Sequence, residues 1–189
     1  MLGIVVIFGL ISGAISILMM LITMQFVERI GFDGSEILGY TTLIASFLLV
    51  FFGIRRYREQ AGGTLSFGRG FTVGILITLI SSAIYVGTWL IVSDRIAPDF
   101  MDKYQAHVIG KIRAEGASEA EVQAKVAEMK YYQDIYATPL GKAAMTFLEP
   151  FPVGLLVTVI SAAVLRRRRT ATSGEPALQS AARPHRGQR

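Results

Sequence analysis

One carboxylate stands inside an apolar run otherwise free of charge: Glu149, within Ala143 to Leu165 and followed at once by Pro150 and Pro152. A carboxyl group at membrane depth is costly to keep ionised, so its functional uses are to meet a cation or to carry a proton. The two prolines lack backbone N–H groups and should bend or break a helix where they stand. Two readings follow. Glu149 is either an interfacial acid where a helix begins, or an ion- or proton-sensitive site beside a discontinuous helix. Arg166 lies 17 residues further on, about 25 Å along a helix, which places Glu149 near one boundary of a bilayer and away from its centre.

Other residues with chemical potential are sparser. Ser81, Ser82, Tyr85 and Thr88 bring hydroxyls to one apolar run, and Thr158 and Ser161 to another. They could line a polar path, but hydroxyls also satisfy themselves on their own helix. His107 is the one histidine before the basic tail and reads as a surface polar residue, not a metal ligand. Glu119 and Glu121 are two apart and do not share a helix face. The glycines of Gly62 to Phe71 lack the lysine and the preceding strand of a phosphate-binding loop. Ser66 there reads as a helix N-cap, with Phe67 and Phe71 at the membrane interface. Cysteine is absent, which removes thiolate catalysis and cysteine metal sites. No enzymatic activity, cofactor or metal is expected.

The elements that must hold these residues are four apolar runs, at about 3–27, 37–54, 71–92 and 143–165. Each is long enough to cross ~30 Å of hydrocarbon as a helix. The fold class is therefore all-α: a polytopic membrane protein of four transmembrane helices over 1–168, with a disordered basic tail over 169–189 that lacks aromatics and any apolar period. The first run has no basic region before it and is too long for a signal peptide, so it reads as an uncleaved span. The net charge of +5 does not point to nucleic acid, because it is concentrated beside the spans. Arg55, Arg56, Arg58 and Arg69 stand against Glu59 in the second loop, and Arg166, Arg167, Arg168 and Arg169 open the tail. Glu28 to Glu36 is net acidic. Basic residues stay on the cytoplasmic side and attract anionic lipid, so both termini are expected in the cytoplasm.

The third loop is expected to be a two-helix hairpin on the outer side, over about 98–137. Pro98 suits a first helical position, and Phe100, Tyr104, Val108 and Ile112 make one apolar stripe. Gly116 supplies a left-handed stop, and Ser118 with Glu121 fits a capping box. Val122, Val126, Met129 and Gln133 follow helical spacing, with Tyr131, Tyr132 and Tyr136 as interface anchors. Small residues recur at packing distance: Gly9 with Gly13, and Gly70 with Gly74, the latter face extended by Ala83 and Gly87. Such pairs serve internal packing or dimerisation equally well.

Four segments taken in order carry a resemblance: Phe52 to Arg58, Gly63 to Arg69, Phe100 to Tyr104, and Met145 to Leu155. Together, over roughly residues 5 to 168, the chain resembles a bacterial four-span membrane family designated a domain of unknown function, DUF4199. The resemblance implies a bacterial inner membrane and four spans, and no activity. Its shared segments fall on Ser66, Phe67 and Gly68 at one side and on Glu149, Pro150 and Pro152 at the other. The leading expectation is a non-enzymatic accessory or scaffold protein, with the lipid bilayer and either a second copy or another membrane protein as partners. The alternative is a small oligomeric transporter or channel with Glu149 near an outer-side site. A membrane enzyme ranks third, since the spans offer one carboxylate and no histidine.

Overall fold

The computed structural model describes residues 1–167. Regular structure among them is helical: α1 (Leu2–Gln60), α2 (Phe67–Arg95), α3 (Phe100–Ala114), α4 (Glu119–Tyr136), α5 (Pro139–Phe147) and α6 (Pro150–Leu165). Four stretches are long and apolar enough to cross a membrane: Leu2–Val27, Arg29–Gln60, Phe67–Arg95 and Pro139–Leu165. The first two are continuous in α1 except at Gly31, whose φ of 72° and ψ of 172° leave the helical region. Only glycine enters that conformation freely. The chain reverses there, since Ser12 and Ser46 come within hydrogen-bond distance across the two halves. The loop expected over 28–36 is thus reduced to a single non-helical residue, because one glycine supplies the whole change of direction.

Contacts at the glycines set the directions of the spans. Gly9 and Gly13 meet Ile80 and Ile84 of α2, so the first and third spans run parallel. Gly70 and Gly74 meet Ala162 and Thr158 of α6, so the third and fourth run antiparallel. The result is an up-and-down bundle of four. Its packing is inside-out relative to a water-soluble one. Ser12, Ser16, Ser46, Thr78, Ser81, Thr158 and Ser161 are buried at mid-span, while Leu10, Leu18, Leu48, Ile91, Leu156 and Ile160 are exposed. Small and hydroxylated residues inside with branched apolar ones outside is how spans pack in lipid, where an exposed leucine costs nothing. This is an all-α membrane protein with four spans.

The two ends of the bundle differ. Towards the arginine-bearing end Val5, Phe47, Val50, Ile54, Val73, Ile77 and Leu165 form one closed apolar core. Leu65 joins it and pairs with Arg167 in both directions, N–H to carbonyl at 3.0 Å and 2.9 Å, which ties the loop before α2 to the end of α6. Ser66 caps α2 as its sequence implies. Arg55 and Arg56 both reach Glu59. Arg168, Arg169 and the tail 169–189 lie outside the described residues.

At the opposite end, α3 and α4 cover the bundle. The glycine stop at Gly116 (φ 88°) and the reciprocal Ser118–Glu121 capping box are both present, and Val122 and Met129 are buried. Helix α3 begins at Phe100, not at Pro98, which sits in the turn before it. Asp102 accepts from Gln133 Nε2 at 2.9 Å, linking α3 to α4. Helix α3 is held on α1 by Asp33, which pairs with His107 at 3.1 Å and Lys111 at 2.9 Å. His107 is therefore a tether to the Gly31 corner. Two further expectations are corrected. Ala83 and Gly87 are exposed and do not extend the Gly70–Gly74 face: nine residues from Gly74 to Ala83 is about half a turn away at 100° per residue. Tyr136 is not an anchor beside Tyr131 and Tyr132; it turns in beneath Trp89, whose indole N–H donates to its hydroxyl at 2.7 Å.

Candidate functional site

Between the four spans and α3, below the Gly31 corner, lies a cavity of about 680 Å³. It exists because the apolar core stops short. Past Leu43 the lining mixes hydroxyls, thioethers, aromatic rings and carboxylates, and Gly39 adds no side chain to the wall. The fourth span breaks at the same level. Pro150 and Pro152 have no N–H to give to the carbonyls four residues earlier, so α5 ends at Phe147 and α6 begins at Pro150. Pro150 is buried and Pro152 exposed. Glu149 sits in the break and is turned inward, half-buried, at the cavity wall. Its distance along the helix suits a boundary acid, but its direction is towards the centre of the bundle.

Tyr85 of α2 donates its phenolic O–H to Glu149 Oε2 at 3.0 Å. No other hydrogen bond holds the carboxylate among the described residues. Glu36 also lines the cavity; among the described residues it makes no ion pair, although the Lys111 ammonium acts on it electrostatically. At the rim Asp99 pairs with Lys103 at 2.9 Å, which holds the Asp99 carboxyl below the usual aspartate range.

A polar seam runs from the cavity towards the closed core. Ser16, on the cavity wall, shares a hydrogen bond with Ser46 at 2.9 Å. Ser12 donates to the Ser46 carbonyl at 3.1 Å and accepts from Ser81 at 3.2 Å. Deeper still, Thr78 meets Thr158 at 3.1 Å and donates to the Gly154 carbonyl at 3.3 Å. Ser82 is buried without a partner. The seam stops at that level under Ile54, Val73 and Ile77. Most of these hydroxyls bond across helices, whereas Thr88 turns back on its own helix.

The wall opposite Glu149 is aromatic. Trp89 meets Phe100 edge-on at 5.0 Å, and Phe100 stacks on Tyr104 at 6.3 Å. Tyr136 joins them through Trp89, with the Lys142 ammonium 5.0 Å from its ring centre. Lys142 is itself bound to Asp94 at 2.6 Å and Ser93 at 3.2 Å.

The segment matched by a family model described as "Protein of unknown function (DUF4199)" is 7–167, which takes in all four spans, the cavity and the Leu65–Arg167 bridge. The chain belongs to the DUF4199 family. No curated protein and no solved structure matches it. Of the segments that carry the DUF4199 resemblance, the one at Glu149, Pro150 and Pro152 forms the cavity wall. The one at Ser66, Phe67 and Gly68 opens α2 at the other end, where Phe67 stacks on Phe71 at 6.0 Å. The two are not brought together. The glycines Gly9, Gly13, Gly70 and Gly74 all serve contacts within the bundle.

Glu149 was legible in the sequence, but its surroundings were not: Tyr85 stood out only as one hydroxyl among several, Tyr136 only as an interface anchor, Glu36 only as one charge of an acidic loop, and Trp89 and Tyr40 not at all. A signal existed on α2: Thr78, Ser81, Tyr85 and Trp89 follow the helical repeat and share one face. The partner face could not be read from α2 alone.

Proposed function

We propose that this DUF4199 protein binds a small molecule in the cavity at Glu149, as one step of moving that molecule into or across the bacterial inner membrane, and that it is not an enzyme. The observation that carries the reading is Glu149 turned into the bundle, one oxygen bound by Tyr85, on the wall of a cavity large enough for a drug-sized ligand. A carboxylate kept there at a desolvation cost is a functional group by default. The arginines at 55, 56, 58, 166 and 167 support an orientation with that end and both termini cytoplasmic and the cavity opening outward. The closed apolar core then separates the cavity from the cytoplasm, an arrangement that suits one half of an alternating-access cycle.

The accessory or scaffold reading has lost one of its supports, since the glycine pairs are used inside the bundle. It keeps another: Tyr131 and Leu140 are 64% and 82% exposed, a surface suited to a partner or to lipid headgroups. Native mass spectrometry of protein extracted gently from its own membrane separates the two. Binding predicts a retained small molecule that is lost in Glu149→Gln and reduced in Tyr85→Phe. An empty wild-type cavity, with a second protein retained instead, would overturn it in favour of the accessory role.

A further inference from the structure

The chemistry of the cavity wall, taken further than the binding role on which this inference rests, specifies a ligand class. We propose that the cavity takes an amphipathic organic cation: a single delocalised or quaternary positive charge carried on an aromatic or bulky apolar body.

Charge is the first argument. Among the described residues the lining holds the acids Glu36, Asp99 and Glu149 and the base Lys103. Lys103 pairs with Asp99, and neither Glu36 nor Glu149 makes an ion pair among the described residues. An anionic ligand would bring a further negative charge towards Glu149, which has no cation beside it among the described residues, and towards Glu36, whose nearby cation Lys111 is already bound to Asp33; like charges repel strongly in a poorly hydrated space. A cation would neutralise Glu149.

The surroundings of the carboxylate narrow the class further. A small metal ion needs several oxygen ligands to replace its water, and among the described residues no three His, Asp or Glu side chains converge. The wall instead offers Tyr40, Tyr85, Trp89, Phe100 and Tyr104, while the ring of Tyr136 already carries the Lys142 ammonium. Aromatic faces attract cations that carry little hydration, and aromatic cages are how quaternary ammonium groups are recognised. Met20, Met24, Met101 and Met145 also line the cavity; flexible thioethers adapt to apolar bodies of differing shape. A site with one charge contact and adaptable walls selects for charge and amphipathicity more than for outline.

Trp89 is the only tryptophan in the chain and lies on the cavity wall, so its emission reports occupancy. The test titrates the full-length protein in neutral detergent with tetraphenylphosphonium, tetraphenylborate and triphenylphosphine oxide. The first two share a shape and differ in the sign of the charge, and the third is neutral. Bound probe is measured by equilibrium dialysis alongside Trp89 emission. Saturable binding of the phosphonium is expected, at least about tenfold tighter than either other probe, and weakened about tenfold or more by Glu149→Gln, the scale expected for removing one partner of a desolvated charge contact. Glu36→Gln should weaken it to a smaller degree, and serves if the Glu149 variant fails to fold. Equal binding of the neutral or anionic probe would overturn the cation assignment and leave the binding role standing. No saturable response to any of the three, with thermal unfolding of the protein intact, would remove both.

Discussion

At the scale of single residues, close packing and special backbone geometry decide which positions tolerate change. A Cβ at Gly154 would meet Thr78 Cγ2 and lie 2.8 Å from the Phe47 ring, where the second, third and fourth spans converge. The ring and the threonine are both fully buried and have nowhere to move. Gly154→Val should therefore cost about 1–3 kcal/mol by overpacking, seen as a lower midpoint of thermal unfolding in detergent. Gly87 is the control. Nothing stands within 4 Å of its would-be Cβ, and Gly87→Ala should leave that midpoint unchanged. If the two variants behaved alike, the span contacts described above would be wrong. Glu149 belongs to the same scale: Tyr85 holds its carboxylate at 3.0 Å on the cavity wall.

At the scale of elements, two devices hold the shape and both are open to test. The first is the reversal at Gly31. An alanine there would need a conformation with φ near 72° that side chains rarely adopt, at a cost of about 1–3 kcal/mol. Gly31→Ala should either loosen the first two spans or shift the corner, and an increase in hydrogen exchange at the Asp33–His107–Lys111 tether would report it. The second is the cap of α4. The Ser118 backbone N–H and hydroxyl both donate to Glu121, which holds the Glu121 carboxyl below the usual glutamate range. A carboxyl group with a depressed folded value stabilises its element at neutral pH, and that contribution is lost as the pH falls from about 4.3 through the folded value. Amide exchange in the first turn of α4 should accordingly rise on acidification. Ser118→Ala, which costs about 1 kcal/mol of helix stability, should raise it already at neutral pH. An α4 indifferent to both would mean that packing of Val122 and Met129 alone holds the helix.

At the scale of the whole molecule, the bundle is closed at its arginine end and open at the other, and the proposed orientation would place the arginine end in the cytoplasm. The absence of cysteine makes the direction measurable with single introduced thiols. A cysteine at Arg58 should be labelled by an impermeant reagent only in inside-out vesicles, and one at Tyr131 only in intact cells stripped of their outer barrier. Labelling in the reverse sense would turn the cavity towards the cytoplasm and make export, not uptake, the natural direction of first binding.

The sequence by itself determined what short-range chemistry controls. Four runs of sufficient length gave four spans, because hydrocarbon forces every backbone group into a helix. Ser66, Gly116 and the Ser118–Glu121 pair marked helix ends correctly, because a cap is written within four residues. The break at Glu149–Pro150 was legible for the same reason. What only the tertiary structure decided was direction around each helix. A span apolar on all sides carries no stripe to say which face is buried, so neither the inward turn of Glu149 nor its bond to Tyr85, 64 residues away, could be read from either segment. The same ambiguity put Ala83 and Gly87 on the wrong face, and the bond from Trp89 to Tyr136, 47 residues away, was equally beyond reach. The cavity is the furthest from the sequence of all, because it is made by where side chains from four spans and α3 fail to fill a common space, and that depends on every span at once.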